Sequence, residues 1–543
     1  MKRITVLAVA SLWAVVAITL VSCTQAETPA APIQVDSGLI AGKVLDSGVK
    51  AWLGIRYAKP PVRDLRWKEP QPISWKGVYN ADRKMPECIQ VLRPHNINHY
   101  FGEEPTCEDC LYMNIWAPPD STATSGLPVI VFIYGGGGTI GSSGMANYDG
   151  EQVAKRGAVF VNFNYRVGIL GFMAHPELTQ EQGGHSGNYG YLDQNAALKW
   201  ISRNIAKFGG DPAKVIISGQ SAGAGSVVQQ TFSPLSKGLF RGAVMLSSCN
   251  WTGEGTPLAA GEKTGLEIQQ LLKANSLDDM RQVPADRILA LQSESQVGAS
   301  TRGVRTSGVI DGYFMPKTKA AILETHEIND VPIIASFTHD EASNEMKRAA
   351  NVVEYKAAAT RIFSTAAEEF LKLYPAATDA DVKSMGQTSA NEASGLLNSC
   401  TCASLQATYN KSQAFITVYS RKHPYVPGVT LADHDPATVG AYHTSEVPYY
   451  FGTFDAYNLF RPTRNWTPWD YELSQKMTAA LIAFANTGNP STPDVKWPAW
   501  TAQNEQYVNF GDRISLETVN RERLDFMAKH RPPPGARGRG PID

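Results

Sequence analysis

Residues 219–223 read Gly-Gln-Ser-Ala-Gly, a serine with glycine two positions away on either side. The run Lys214-Val-Ile-Ile-Ser before it is apolar and β-forming, and the segment after it has helical character. A strand-to-helix turn this sharp imposes strained φ/ψ on its serine, and the glycines keep Cβ atoms out of the crowded corner. The hydroxyl of Ser221 would then stand at the strand's carboxyl end. Free N–H groups and the positive dipole end of the new helix would lie beside it. The chemistry such a corner serves is nucleophilic attack by the serine oxygen.

A serine hydroxyl alone is a weak nucleophile. It needs a base, an acid to orient the base, and N–H donors for the charge that develops on the attacked oxygen. Four consecutive glycines, 135–138, directly follow the strand-like run PVIVFIY at 128–134. With no side chains in the way, their N–H groups can face a ligand. Gly136 and Gly137 are the expected donors, with the N–H of Ala222 as a third.

These residues need elements to hold them. AVFVNFNYRV (158–167), KVIIS (214–218) and VPIIASFT (331–338) read as further buried strands. Residues 192–208 place Leu192, Ala196, Trp200, Ile201, Ile205 and Phe208 largely on one helical face. Strand–helix–strand alternation with short links predicts an α/β fold, a doubly wound, mostly parallel central sheet with helices on both faces. Residues from about 342 to 435 read as a largely helical insertion within that fold.

The formal net charge of −1 gives no drive toward nucleic acid or an anionic membrane, so a neutral small molecule is the expected partner. Residues 1–22 have a basic start and an apolar run, which reads as an export signal. Its end, Leu20-Val21-Ser22-Cys23, resembles the lipobox of bacterial lipoproteins. That reading makes Cys23 the lipid-bearing N-terminus and residues 23–33 a flexible tether. Cleavage after Ala26, giving a secreted protein, and an uncleaved membrane anchor stay open as alternatives. The tail 531–543 is rich in Pro, Gly and Arg and reads as disordered. Of seven cysteines, Cys107-x-x-Cys110 and Cys400-x-Cys402 could suggest zinc ligands, but an exported chain favours disulfides.

Ten segments, in this order, carry a resemblance: GIRYAKPPVRDLRW (54–67), EDCLYMNIW (108–116), IYGGGG (133–138), NYRVGILGF (164–172), GNYGYLDQNAALKW (187–200), FGGDP (208–212), GQSAGA (219–224), IDGYFMP (310–316), HDEAS (339–343) and GAYHTSEVPYYFG (440–452). They resemble the type-B carboxylesterases, the branch of the α/β-hydrolase superfamily that includes the cholinesterases and, as non-catalytic relatives, the neuroligins. The resemblance covers about residues 34–530 and, with the leader, describes an exported bacterial member.

The resemblance implies the α/β-hydrolase fold and the remaining site residues. The acid maps to Glu341, with Asp340 as rival, and the base to His443. The order Ser221, Glu341, His443 is the one expected for this fold. A family disulfide maps to Cys88 and Cys110, and a buried ion pair to Arg66 and Glu108. Glu446 and Ser226 resemble polar groups near the histidine. Two departures stand out: Gln220 where the family usually has Glu, and Gly138 where it usually has Phe, which would enlarge the substrate pocket or loosen the loop. Trp251 reads equally as a wall of the acyl pocket or as core packing. The disulfide loop lacks the cholinesterase Trp; Tyr100 or Phe101 could partly replace it, and choline esters are not expected substrates. The implied activity is hydrolysis of carboxylic esters through an acyl-enzyme, with no metal and no cofactor. The alternatives are a neuroligin-like binding protein and an amide or carbamate hydrolase using the same three residues.

Overall fold

The computed structural model describes residues 28–102, 105–293 and 303–530. The export signal, Cys23 and the tail from 531 lie outside the described residues. One sheet of twelve strands runs through the molecule. In chain order these are β1 (Thr28–Pro29), β2 (Lys43–Val44), β3 (Lys50–Arg56), β4 (Tyr112–Ala117), β5 (Leu127–Ile133), β6 (Val159–Phe163), β7 (Gly210–Gln220), β8 (Gly242–Leu246), β9 (Ile333–Thr338), β10 (Ala414–Tyr419), β11 (Gln506–Phe510) and β12 (Ile514–Thr518). Their spatial order is β1-β2-β3-β4-β6-β5-β7-β8-β9-β10-β11-β12. From β6 through β11 every neighbouring pair is parallel. The flanking pairs are antiparallel.

The central strands are continuously apolar because helices cover the sheet, and Val129 through Ile133 are fully buried. Helix α1 (Tyr189–Asn204) buries Leu192, Leu198, Trp200 and Ile201. Helix α2 (Ala222–Phe232) follows the serine corner, and α3 (Pro468–Thr487) packs on β5 and β7. Gly242 has no Cβ where the Phe484 ring of α3 comes within 2.8 Å of the Cβ position. The chain goes from β5 to β6 on one side, then crosses to β7 on the other. Carboxyl-end loops part at such a reversal and leave a crevice for ligand.

Two boundaries differ from the sequence reading. The helical insertion runs from Glu345 to Tyr409, not to about 435. Ala414–Tyr419 is a central strand paired along its whole length with β9, as its six-residue apolar run AFITVY requires. The fold also begins inside the segment read as a tether, since Thr28 and Pro29 pair with Val44 and Lys43.

Candidate active site

Ser221 sits between β7 and α2 with φ 57° and ψ −123°, a strained conformation for a residue with a Cβ. Its N–H donates to the Leu246 carbonyl at 2.8 Å. The glycines around it are sterically required. A Cβ on Gly219 would lie 2.3 Å from the Gly223 carbonyl oxygen, and one on Gly223 would lie 2.0 Å from that of Ile133. The Ser221 side chain is partly exposed and has no hydrogen-bond partner among the described residues.

Strand β5 lies beside β7 with Ile133 opposite Gly219, so the glycine run emerges next to the serine. Gly135 is close enough that a Cβ would meet the Gln220 carbonyl at 2.5 Å. Gly136, Gly137 and Gly138 have φ of 106°, 65° and 74°. Among the described residues the N–H groups of Gly136, Gly137 and Ala222 donate to no protein acceptor. The loop is anchored by a side chain the sequence reading missed. Gln90 accepts from the Gly141 N–H at 2.6 Å and donates to the Gly141 carbonyl at 2.8 Å. A glutamine inside a disulfide loop carries no sequence signal for this.

Glu341 follows β9 and meets His443, 102 residues away. The His443 Nδ1–H donates to Glu341 Oε2 at 2.5 Å, while Glu341 Oε1 accepts the Thr338 N–H at 3.3 Å. Asp340, the rival acid, is engaged elsewhere, by the Ala441 N–H at 2.7 Å and by His339 at 3.0 Å. The His443 side chain is 44% exposed and that of Glu341 13%. Burial works against the imidazolium, but the hydrogen bond and charge of Glu341 outweigh it and hold the His443 pKa above its ordinary value. The other ring nitrogen, Nε2, accepts from the Gln220 amide at 3.3 Å. The carboxyl ends of β5, β7 and β9 and the loop beyond β10 therefore bring the glycine run, Ser221, Glu341 and His443 to the same edge of the sheet, linked through Gln220.

Behind His443 lies Glu446, 1% exposed, with neither carboxyl oxygen partnered outside its own residue among the described residues. Burial, then the charge of Glu341, push its pKa up to about 8. Ser226 instead accepts from Gln194 at 2.9 Å. Trp251 is 1% exposed and packs edge-on against Phe232 at 5.3 Å, so it presents no surface to a substrate and serves as core packing. Phe101 is likewise buried, against Tyr457. Tyr100 makes tilted ring contacts with His95 and Phe460. Gly138 leaves space beside Phe172, whose ring would stand 3.9 Å from an added Cβ.

Residues 29–527 match the sequence profile of the carboxylesterase family. The chain belongs to that family. It is 33% identical over 508 residues to fumonisin B1 esterase of Sphingopyxis macrogoltabida, covering 90% of this chain and 88% of that one. It is 30% identical to para-nitrobenzyl esterase of Bacillus subtilis (strain 168), covering 87% and 93%. A solved PNB esterase superposes with a TM-score of 0.71 at 28% identity, over 91% of this chain and 99% of that one. The fold is thus the α/β-hydrolase fold, and the protein is a carboxylic ester hydrolase.

In this carboxylesterase Cys88 and Cys110 form a disulfide, and a second, unforeseen one joins Cys249 to Cys402. The four sulfurs considered as zinc ligands are thereby divided, with Cys110 and Cys402 bonded and Cys107 and Cys400 free thiols. Arg66 and Glu108 form a two-pronged ion pair with both contacts at 2.7 Å, and Arg66 also donates to the Val283 carbonyl, tying the disulfide loop to the body.

Proposed function

We propose that the esterase works through an acyl-enzyme on Ser221. His443 Nε2 exchanges its Gln220 partner for the Ser221 hydroxyl, takes the proton, and the alkoxide attacks the ester carbonyl. Contacts of this kind tighten when substrate binds. The N–H groups of Gly136, Gly137 and Ala222 stabilise the tetrahedral oxyanion. His443 then protonates the leaving alcohol, and a water activated by the same imidazole releases the acid. Glu341 holds the Nδ1–H tautomer and stabilises the imidazolium. The observation that carries this reading is the 2.5 Å bond between Glu341 and His443, with the outer ring nitrogen at the residue preceding Ser221. The test is the pre-steady-state burst of p-nitrophenol from a p-nitrophenyl ester. One equivalent is expected from the native enzyme and none from Ser221→Ala. An undiminished burst in the variant contradicts the assignment. Comparing kcat/KM for matched esters, amides and carbamates separates the ester preference from its alternatives.

We further propose export, with Cys23 carrying a lipid anchor as in a bacterial lipoprotein. Two disulfides suit an oxidising compartment, and among the described residues no helix is long and apolar enough to cross a membrane. Cys23→Ala should move the protein from the membrane to the soluble fraction; unchanged fractionation contradicts lipidation.

A further inference from the structure

His99 and Asp433 meet in front of the loop that carries His443. The His99 Nδ1–H donates to Asp433 Oδ2 at 3.3 Å. That fixes Nε2 as the acceptor for the Thr444 hydroxyl at 2.6 Å. Asp433 is itself held, because its Oδ1 accepts the Asn98 N–H at 2.9 Å and Ala432 N–H donates to the Asn96 carbonyl at 3.0 Å. Its neighbour His434 is bonded to the Tyr425 hydroxyl at 2.6 Å.

Thr444 follows His443 in the chain and has φ of 82°, a region that β-branched residues avoid. Its carbonyl accepts the Val447 N–H at 3.1 Å, so the residue is gripped at both ends. Turning Thr444 out of this conformation would rotate the Cα–Cβ direction of His443 and carry the ring away from Glu341. Residues that over-determine an unfavourable backbone conformation beside reacting groups are the usual means by which such strain persists.

We infer that His99, braced by Asp433, is a positioning residue that holds His443 in its working orientation through Thr444. The inference rests on the assignment of His443 as the base for Ser221. His99→Ala should lower kcat about 10- to 100-fold with KM nearly unchanged, since misplacing a catalytic group by about 1 Å has that order of effect. Labelling of Ser221 by an organophosphate should slow by the same factor. Thr444→Val, which keeps the shape and deletes the hydroxyl, should reproduce the loss. Thr444→Gly placed in His99→Ala should recover most of the activity, because glycine adopts positive φ without needing a clamp. Circular dichroism and melting curves establish that each variant is folded, and Thr444→Val carries the test if His99→Ala is not. Wild-type rates in His99→Ala or Thr444→Val, or a loss that Thr444→Gly leaves unrepaired, overturn the inference. Failure of the native enzyme to label at Ser221 would instead overturn the assignment beneath it.

Discussion

The Gln220 amide donates to His443 Nε2 at 3.3 Å, occupying the nitrogen to which the proposed mechanism assigns the Ser221 proton. The neutral amide satisfies the resting imidazole without adding charge. A carboxylate at this position would favour the imidazolium. Gln220→Glu should therefore move the acid limb of the kcat/KM profile to higher pH, by about one unit, with the rate near pH 9 within a few-fold of native. A pH series with p-nitrophenyl acetate measures this; an unmoved or lowered limb counts against the contact.

Glu341→Gln removes the charge that raises the His443 pKa. The proposed mechanism uses neutral His443 as the base, so activity should fall as pH drops through that pKa. The native acid limb should lie above about 6.5, the ordinary histidine value, and that of the variant lower. The plateau should fall about 10²- to 10⁴-fold, since the amide no longer enforces the tautomer or stabilises the imidazolium. Steady-state kinetics from pH 5 to 9 report both effects.

Glu446 has a folded pKa of about 8, above the ordinary carboxyl value of 4.5. Between those values the folded state keeps a proton that the unfolded state has released, so this group's contribution to stability declines as pH rises through the window. Glu446→Gln has no proton to lose. It should match the native protein near pH 4 and be more stable near pH 9, by on the order of a few kcal/mol. Denaturant melts at the two pH values test this, and a difference that does not grow with pH would contradict it.

Gly136 and Gly137 should differ. A Cβ on Gly136 would meet the Ile140 carbonyl at 2.2 Å, whereas one on Gly137 meets nothing nearer than Thr139 Oγ1 at 3.7 Å. With Gly136 as a proposed oxyanion donor, Gly136→Ala should lower kcat about 10²- to 10³-fold, the effect of losing such a donor. Gly137→Ala should be milder, limited to a left-handed backbone cost of about 1–2 kcal/mol. Kinetics and melting of the two variants give the ranking, and equal losses would contradict it.

What could be read in advance was local. The corner at Ser221 declares itself because contacts near 2 Å force glycine at 219 and 223. The central strands declare themselves because burial on both faces requires unbroken apolar runs. Glu341 and His443 are 102 residues apart and joined only by the fold, so their partnership came from the resemblance to the carboxylesterases. AFITVY reads as part of a helical insertion because helix-forming residues precede it. Cys249–Cys402 and His99–Thr444 span 153 and 345 residues. Neither leaves a periodic or composition signal, since each depends on where remote loops cross.

Organophosphate labelling followed by peptide mass mapping tests the central claim most directly. One equivalent should attach to the peptide containing Ser221, with loss of esterase activity in step, and Ser221→Ala should take up none. A folded, active enzyme that carries no label at Ser221, or that keeps its activity when Ser221 is modified, would contradict the account.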